Sequence, residues 1–178
     1  MADWEAKRAW HDYAIEQFGE ANYETSSAYT LVKKGRPNRF LYRDALWRSA
    51  DLIGTGVASF SHVNGFHFQN QTYWDSYLEA VEEGRLPLNR AFVTTEEERL
   101  VREMVLQLKL GHIETDYFLT KFGVPILDRF GEAYQKLQDD GMLKFDDRGV
   151  TLSRKGLLQV DQLLPTFYHE RYRNSRYT

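Results

Sequence analysis

The chain has 178 residues, of which 42% are hydrophobic and 15% aromatic, and its formal net charge is −3. This length suits one domain or two small ones, and the apolar content is enough for a packed core, which excludes a disordered chain. The acidic balance argues against general nucleic-acid binding, and no apolar run reaches the length of a membrane span. The chain has no Cys, so it can form neither a disulfide nor a thiolate-held metal site. Because no signal peptide is visible at the N-terminus, we expect a cytoplasmic protein.

The first part of the sequence alternates helical and extended patterns. Residues 3–18 carry aromatic side chains at helical spacing and predict a helix that ends at Gly19. Residues 22–32 are rich in Tyr, Thr and Val, which favours extended chain, and a turn is predicted at 33–38. An amphipathic helix is predicted for residues 72–83, followed by a connection over residues 85–93.

Residues 50–70, ADLIGTGVASFSHVNGFHFQN, form a Gly-rich stretch that opens on a predicted short buried strand at Leu52–Ile53. Gly54 and Gly56 have no Cβ and permit a close approach of the backbone to a flat or bulky group. If the stretch is extended, the two glycines lie on one side of it, and Phe60 and His62 share that side. The pattern predicts a ligand-facing rim. The alternative is a tight structural turn with Phe60 in the core.

The C-terminal part predicts three helices followed by a hairpin. Thr95 and Glu98 fit a capping box at the start of the first helix, which then presents a continuous apolar face. Further helices are predicted at 114–122 and 125–140, and residues 142–152 have the pattern of a β-hairpin. This order is the winged-helix arrangement.

The winged-helix arrangement raises the question of DNA binding, and the charges argue against it. The third predicted helix, residues 125–140, has two basic residues, Arg129 and Lys136, and more acidic ones. The acidic residues of this helix are Asp128, Glu132, Asp139 and Asp140. A helix with this charge would repel phosphates, so no nucleic-acid partner is predicted.

The histidines do not form a metal-binding pattern. His62 and His67 lie five residues apart in the Gly-rich stretch and could both reach a cavity. The chain has five His, and they show no spacing typical of metal ligands, so no metal site is predicted.

The Gly-rich stretch also resembles a known family. GTGVASFS, followed by Gly65, Gln69 and Asn70, is similar to the C-terminal part of the oxygen-independent coproporphyrinogen III oxidase (HemN-type) radical S-adenosylmethionine family. The resemblance continues through YETSSAYT before this stretch and ERLVREMVLQLKLG after it, and it covers roughly residues 23–168. One departure is clear, because the iron–sulfur motif CxxxCxxC of the family is absent.

The resemblance implies an α+β fold. Residues 1–88 would be the terminal strands and helices of an incomplete α/β barrel with the Gly-rich rim. Residues 89–178 would be a winged-helix-like helical C-terminal domain. The candidate residues facing substrate or cofactor are then Phe40, Gly54, Gly56, Phe60 and His62.

The resemblance also implies a function in tetrapyrrole (heme) metabolism. The family uses S-adenosylmethionine and a [4Fe–4S] cluster, which residues upstream of this chain would bind, so no cofactor is expected in the chain alone. The expected partners are the upstream barrel portion or a second copy, and a tetrapyrrole-like substrate; no membrane is expected. The chain would not catalyse the reaction by itself, and the parent could be an oxidase, a heme chaperone or a methyltransferase. The alternative is a non-catalytic module that binds a partner, heme or porphyrin.

Overall fold

The computed structural model describes residues 2–36 and 40–173, which form two compact units. Of the described residues, 2–36 and 101–173 form one unit, and 40–100 form the other. The α-helices are α1 (Trp4–Glu20), α2 (Leu41–Trp47), α3 (Trp74–Glu82), α4 (Glu96–Leu108), α5 (Thr115–Phe122), α6 (Ile126–Arg129), α7 (Gly131–Asp139), α8 (Arg154–Leu158) and α9 (Val160–Leu163). The strands are β1 (Tyr23–Ser27), β2 (Thr30–Lys33), β3 (Phe60–Val63), β4 (Phe66–Asn70), β5 (Leu88–Val93), β6 (His112–Glu114), β7 (Leu143–Asp146) and β8 (Gly149–Leu152). Short 3-10 helices cover Leu164–Phe167 and Glu170–Tyr172.

The unit of residues 40–100 is built on a three-stranded antiparallel sheet with the order β3-β4-β5. The β3–β4 hairpin turns through Asn64 and Gly65, whose φ angles are 47° and 80°. Two central residues with positive φ match the right-handed twist of a tight hairpin, which explains the Asn-Gly pair. The prediction of a connection over residues 85–93 is wrong, because Leu88–Val93 forms β5 and pairs with β4.

Helix α4 begins as predicted, with a capping box. The Glu98 backbone N–H donates to Thr95 Oγ1 at 3.2 Å, and the Thr95 N–H donates to Glu98 Oε2 at 2.8 Å. The predicted apolar face is buried. It consists of Leu100, Val101, Met104, Val105 and Leu108.

The core of the other unit surrounds Tyr134. This side chain is 0% exposed, and its ring contacts the rings of Phe130, Phe145 and Phe167. Its hydroxyl lies 3.0 Å from Met104 Sδ, and burial raises the pKa of Tyr134. The three-stranded sheet of this unit has the order β6-β8-β7. The hairpin predicted at 142–152 is therefore confirmed, with β6 added to it as a third strand.

Two predicted helices have different bounds in the structure. Helix α1 continues past Gly19 to Glu20. The helix expected over residues 125–140 is interrupted at Phe130, where φ is −121° and ψ is 20°, and forms α6 and α7. Within the described ranges, no helix combines the length and apolarity that crossing a bilayer requires.

A buried carboxylate, Glu103 on α4, is paired with residues of α5. Glu103 is 0% exposed, and Lys121 Nζ lies 2.9 Å from its Oε1 and 2.8 Å from its Oε2. The Tyr117 hydroxyl and the Gln107 amide also donate to the Glu103 carboxylate. Desolvation lowers the pKa of Lys121, but the hydrogen bonds and charges of Glu103 and Tyr117 outweigh it and raise this pKa.

We expect Lys121→Met to lower the free energy of unfolding by about 2 kcal/mol at pH 8, because it leaves a buried carboxylate without its cation. Since the pKa of Lys121 is raised in the folded state, its stabilisation is complete below the unfolded pKa of about 10.4 and is lost as the pH rises further. Urea denaturation at pH 8 and above pH 10.5 measures the difference. Lys136→Met, at an exposed position of α7, is the control. Equal stability of the two variants at pH 8 would contradict the expectation.

Candidate functional site

One face of the β3-β4-β5 sheet presents aromatic, His, Gln and Arg side chains. In an antiparallel sheet, directly opposed residues project from the same face. The register gives two rows of three such residues, Phe60, Gln69 and Arg90 in one row and His62, His67 and Phe92 in the other. We call this surface the sheet face.

The rings of the sheet face form a partly exposed platform. Phe60 stacks on His67 with ring centroids 5.4 Å apart and an interplanar angle of 12°. The ring of His62 lies 6.0 Å from that of His67 and is only 4% exposed, whereas Phe60 and Phe92 are 43% and 45% exposed. Half-exposed rings of this kind favour stacking with a planar group. Phe60 and His62 therefore share a side, as their spacing in β3 predicts.

The Gly-rich loop before β3 departs from the extended path that the sequence analysis assumed. Leu52 pairs with His62 as an isolated bridge, and Ile53 is 72% exposed, so the predicted buried strand is reduced to one residue. Residues 56–58 form a turn in which the φ angles of Gly56 and Ala58 are 99° and 59°. The premise that residues 54–62 form one extended segment is therefore wrong, and the glycines do not share a side with Phe60 by strand alternation.

Each of the two glycines is required by contacts within the chain. A Cβ on Gly54 would lie 2.3 Å from the Phe60 carbonyl oxygen, so its absence allows the loop to approach β3. Gly56 adopts a positive φ that L side chains rarely adopt, and its N–H donates to the Tyr77 hydroxyl at 3.1 Å. These contacts explain both glycines without a ligand, and a ligand-facing role for them remains a proposal.

Two buried amides hold the loop in place. The Asn70 side chain donates to the carbonyl oxygens of Gly54 at 3.2 Å and Gly56 at 3.0 Å. The Gln69 side chain donates to the Ala58 carbonyl oxygen at 3.0 Å. From the sequence, Gln69 and Asn70 are expected among the polar groups of a ligand-facing rim and as part of the family resemblance. Their role as loop anchors depends on contacts with residues more than ten positions away in the sequence.

Phe40 lies outside the sheet face, directly before α2. It is 40% exposed, and the guanidinium of Arg43 lies 4.8 Å from the centre of its ring. The same guanidinium contacts the Trp47 ring at 5.4 Å and forms an ion pair with Asp44 at 2.7 Å. Phe40 is thus part of an aromatic and cationic cluster on α2.

Sequence reasoning missed Arg90 and Phe92, because β5 was taken as a connection. Arg90 Nε donates to Gln69 Oε1 at 2.8 Å, which places a guanidinium at one end of the Phe60 row. The alternating Arg-Ala-Phe-Val segment was a signal for a strand with Arg90 and Phe92 on one side. The sheet face therefore offers rings and a cation, which suits a planar ligand with an acidic substituent.

The described part of the chain shows no group of three or more His, Asp or Glu side chains placed to hold a metal ion. The sheet face offers groups that can stack and hydrogen-bond.

Comparisons with known proteins agree with the family resemblance. Residues 94–158 match the HemN C-terminal domain family. The chain is 27% identical to the oxygen-independent coproporphyrinogen III oxidase of Pseudomonas aeruginosa over 134 residues, 68% of this chain and 29% of that protein. It is also 27% identical to the enzyme of the same name from Helicobacter pylori over 158 residues, 86% of this chain and 34% of that protein. The chain spans about a third of the length of these relatives.

The fold is similar to that of a solved structure described as coproporphyrinogen III oxidase (HemN) from Escherichia coli, a radical SAM enzyme. The TM-score is 0.71 at 18% sequence identity, and the similarity covers 88% of this chain and 39% of that chain. The mixed α/β fold and the resemblance to the C-terminal portion of this family are thereby confirmed.

Proposed function

From the match of residues 94–158 to the HemN C-terminal domain, we propose that this chain is the C-terminal part of an oxygen-independent coproporphyrinogen III oxidase-like enzyme. In that role it supplies the rim and cap of a substrate cavity in tetrapyrrole metabolism and does not catalyse the reaction alone. The relatives that carry this name are about three times as long as the matching region, which leaves room for an upstream catalytic portion.

The observation that carries the proposal is the sheet face. Phe60 and His67 form a stacked pair on this face, and Arg90 provides a cation in the same row as Phe60. A tetrapyrrole is flat and carries carboxylates on its edge, so rings and a guanidinium are the groups that such a ligand needs. Phe40, Gly54, Gly56, Phe60 and His62 are the proposed substrate- or cofactor-facing residues of the complete enzyme.

The proposed architecture divides the chain into a barrel-derived part, residues 1–88, and a winged-helix-like part, residues 89–178. Support for the second part comes from the order of α4, α5 and α6–α7, followed by the β7–β8 hairpin. The β6-β8-β7 sheet would correspond to the small sheet of such a domain.

Helix α1 supports a partner for the first part. None of its residues is buried, and Trp4, Trp10 and Tyr13 are 67%, 64% and 63% exposed. A helix of this length gains little stability in water without packing, so these aromatic side chains need a covering surface. We assign that surface to the upstream barrel portion of the same enzyme, since the chain spans about a third of its relatives; self-association is the other candidate.

The cofactors of the family would be held elsewhere. The chain has no Cys, so the thiolate ligands of a [4Fe–4S] cluster cannot come from it. In the complete enzyme, the cluster and S-adenosylmethionine would supply the radical that removes hydrogen from the substrate. The contribution of this chain is to bind and orient the planar substrate.

The second candidate function is a porphyrin- or heme-binding module without catalysis. The aromatic platform favours it, because stacked rings could bind a tetrapyrrole without radical chemistry. The discriminating observation is the natural reading frame: a CxxxCxxC motif encoded before Met1 favours the enzyme, and its absence there favours the module.

Binding of coproporphyrin III tests the proposal in either form. We expect the chain to quench porphyrin fluorescence on binding, and Phe60→Ala to weaken binding about fivefold, because one stacking contact is worth about 1 kcal/mol. Phe66→Ala is the matched control. Phe66 is 47% exposed and lies on the opposite face of β4.

Binding that both variants weaken equally would show that the sheet face is not the site. A wild-type chain that does not bind the porphyrin would refute the proposal.

A further inference from the structure

We infer that Arg90 is the residue of the sheet face that recognises a carboxylate of the bound ligand and thereby sets its specificity for acidic tetrapyrroles. The inference rests on the proposed function, because it names the group that would distinguish an acid from a neutral ring of the same shape. Arg90 lies on β5, outside the Gly-rich stretch that the family resemblance singles out.

The position of the guanidinium is fixed by a buried amide. Arg90 Nε donates to Gln69 Oε1 at 2.8 Å, and Gln69 is only 6% exposed. The other end of the same amide donates to the Ala58 carbonyl oxygen at 3.0 Å, which fixes its orientation. The chain Ala58–Gln69–Arg90 therefore connects the Gly-rich loop to the cation, so the guanidinium is positioned before a ligand arrives.

The spacing of the rows suits a planar acid. Phe60, Gln69 and Arg90 are directly opposed on three adjacent strands, so the outer two backbones are about 10 Å apart. A ring system stacked on the Phe60–His67 pair would extend toward β5, where Arg90 and the half-exposed Phe92 lie. The edge of such a ring system is where tetrapyrrole carboxylates are attached.

The chemistry of arginine matches this task. A guanidinium has five N–H donors in a planar fork whose geometry matches a carboxylate, and Gln69 accepts from the Nε–H of this group. Arg90 is exposed, in contrast to the buried amide that holds it. The alternative is a purely structural role, in which Arg90 only links β5 to β4 through its hydrogen bond to Gln69. The experiment must exclude this alternative.

The experiment compares two porphyrins with the same ring system, one with carboxylates at its edge and one in which these carboxylates are methyl esters. The 178-residue chain is titrated with coproporphyrin III and with its tetramethyl ester in the same detergent-containing buffer. We expect the wild type to prefer the acid, and Arg90→Gln to weaken binding of the acid about tenfold while binding of the ester is unchanged. Added salt should weaken acid binding less in Arg90→Gln than in the wild type, because the variant has lost the charge contact.

Two further variants make the result specific. Arg90→Lys keeps the charge and loses the planar fork, so its affinity for the acid should lie between those of the wild type and Arg90→Gln. It replaces Arg90→Gln as the test variant if that substitution lowers the melting temperature. Arg85→Gln removes an exposed arginine that pairs with Glu83 and should leave both affinities unchanged.

The failures of the two proposals are distinguishable. If the wild type binds neither porphyrin, the proposed function fails and the inference with it. If the wild type binds and Arg90→Gln changes acid and ester binding equally, or changes neither, the proposed function stands and the role of Arg90 in carboxylate recognition is overturned.

Discussion

Replacing Leu108 by Ala is expected to lower the free energy of unfolding by about 3 kcal/mol, because the truncation removes buried methyl groups and leaves a cavity. Leu108 is 1% exposed and lies in the last turn of α4, four residues beyond Met104, which is 0% exposed. For a chain of this size the loss corresponds to a fall in melting temperature of about 9 °C. Differential scanning calorimetry of the wild type and the variant measures it.

The control for Leu108→Ala is Leu119→Ala in α5. Leu119 is 50% exposed, so its truncation should change the free energy of unfolding by less than about 1 kcal/mol. The comparison separates loss of core packing from loss of a leucine on a helix. Equal melting temperatures for wild type and Leu108→Ala would show that this face of α4 is not packed in solution.

Gly54→Ala is expected to lower the free energy of unfolding by about 3 kcal/mol through a backbone clash. The added Cβ would lie 2.3 Å from the Phe60 carbonyl oxygen and 3.0 Å from Ser59 Cβ. A backbone oxygen in a strand cannot move aside as a flexible side chain can, so the loop must shift and strain its contacts. Those contacts include the hydrogen bonds from Gly54 N–H to Ser61 Oγ at 3.0 Å and from Asn70 to the Gly54 carbonyl oxygen. Urea denaturation followed by tryptophan fluorescence gives the magnitude.

Gly19→Ala is the matched control for this substitution. Gly19 lies inside α1, and a Cβ there would meet no atom within 4 Å, so Ala should stabilise the chain by up to about 1 kcal/mol. If Gly54→Ala keeps the stability of the wild type but loses porphyrin binding, the glycine serves the ligand. If it keeps both, neither the clash nor the ligand-facing proposal for Gly54 is right.

The sequence by itself determined the features that depend on neighbours along the chain. The capping box of Thr95 and Glu98 and the apolar face of α4 follow from spacings of three and four residues, and both are present. The β7–β8 hairpin and the shared side of Phe60 and His62 likewise depend only on local alternation. The family resemblance also needed only the order of short segments.

Only the tertiary structure decided the features that depend on distant partners. β5 is a strand because β4, about twenty residues earlier, offers it a hydrogen-bonding edge, and this pairing brings Arg90 to Gln69. The turn at residues 56–58 depends on positive φ angles at Gly56 and Ala58, and buried amides at positions 69 and 70 hold it. The sequence shows that a glycine permits a close approach of another group, but it does not show whether that group is a ligand or a strand. At Gly54 the approaching group is the Phe60 carbonyl oxygen, a contact that exists only once the loop has folded onto β3.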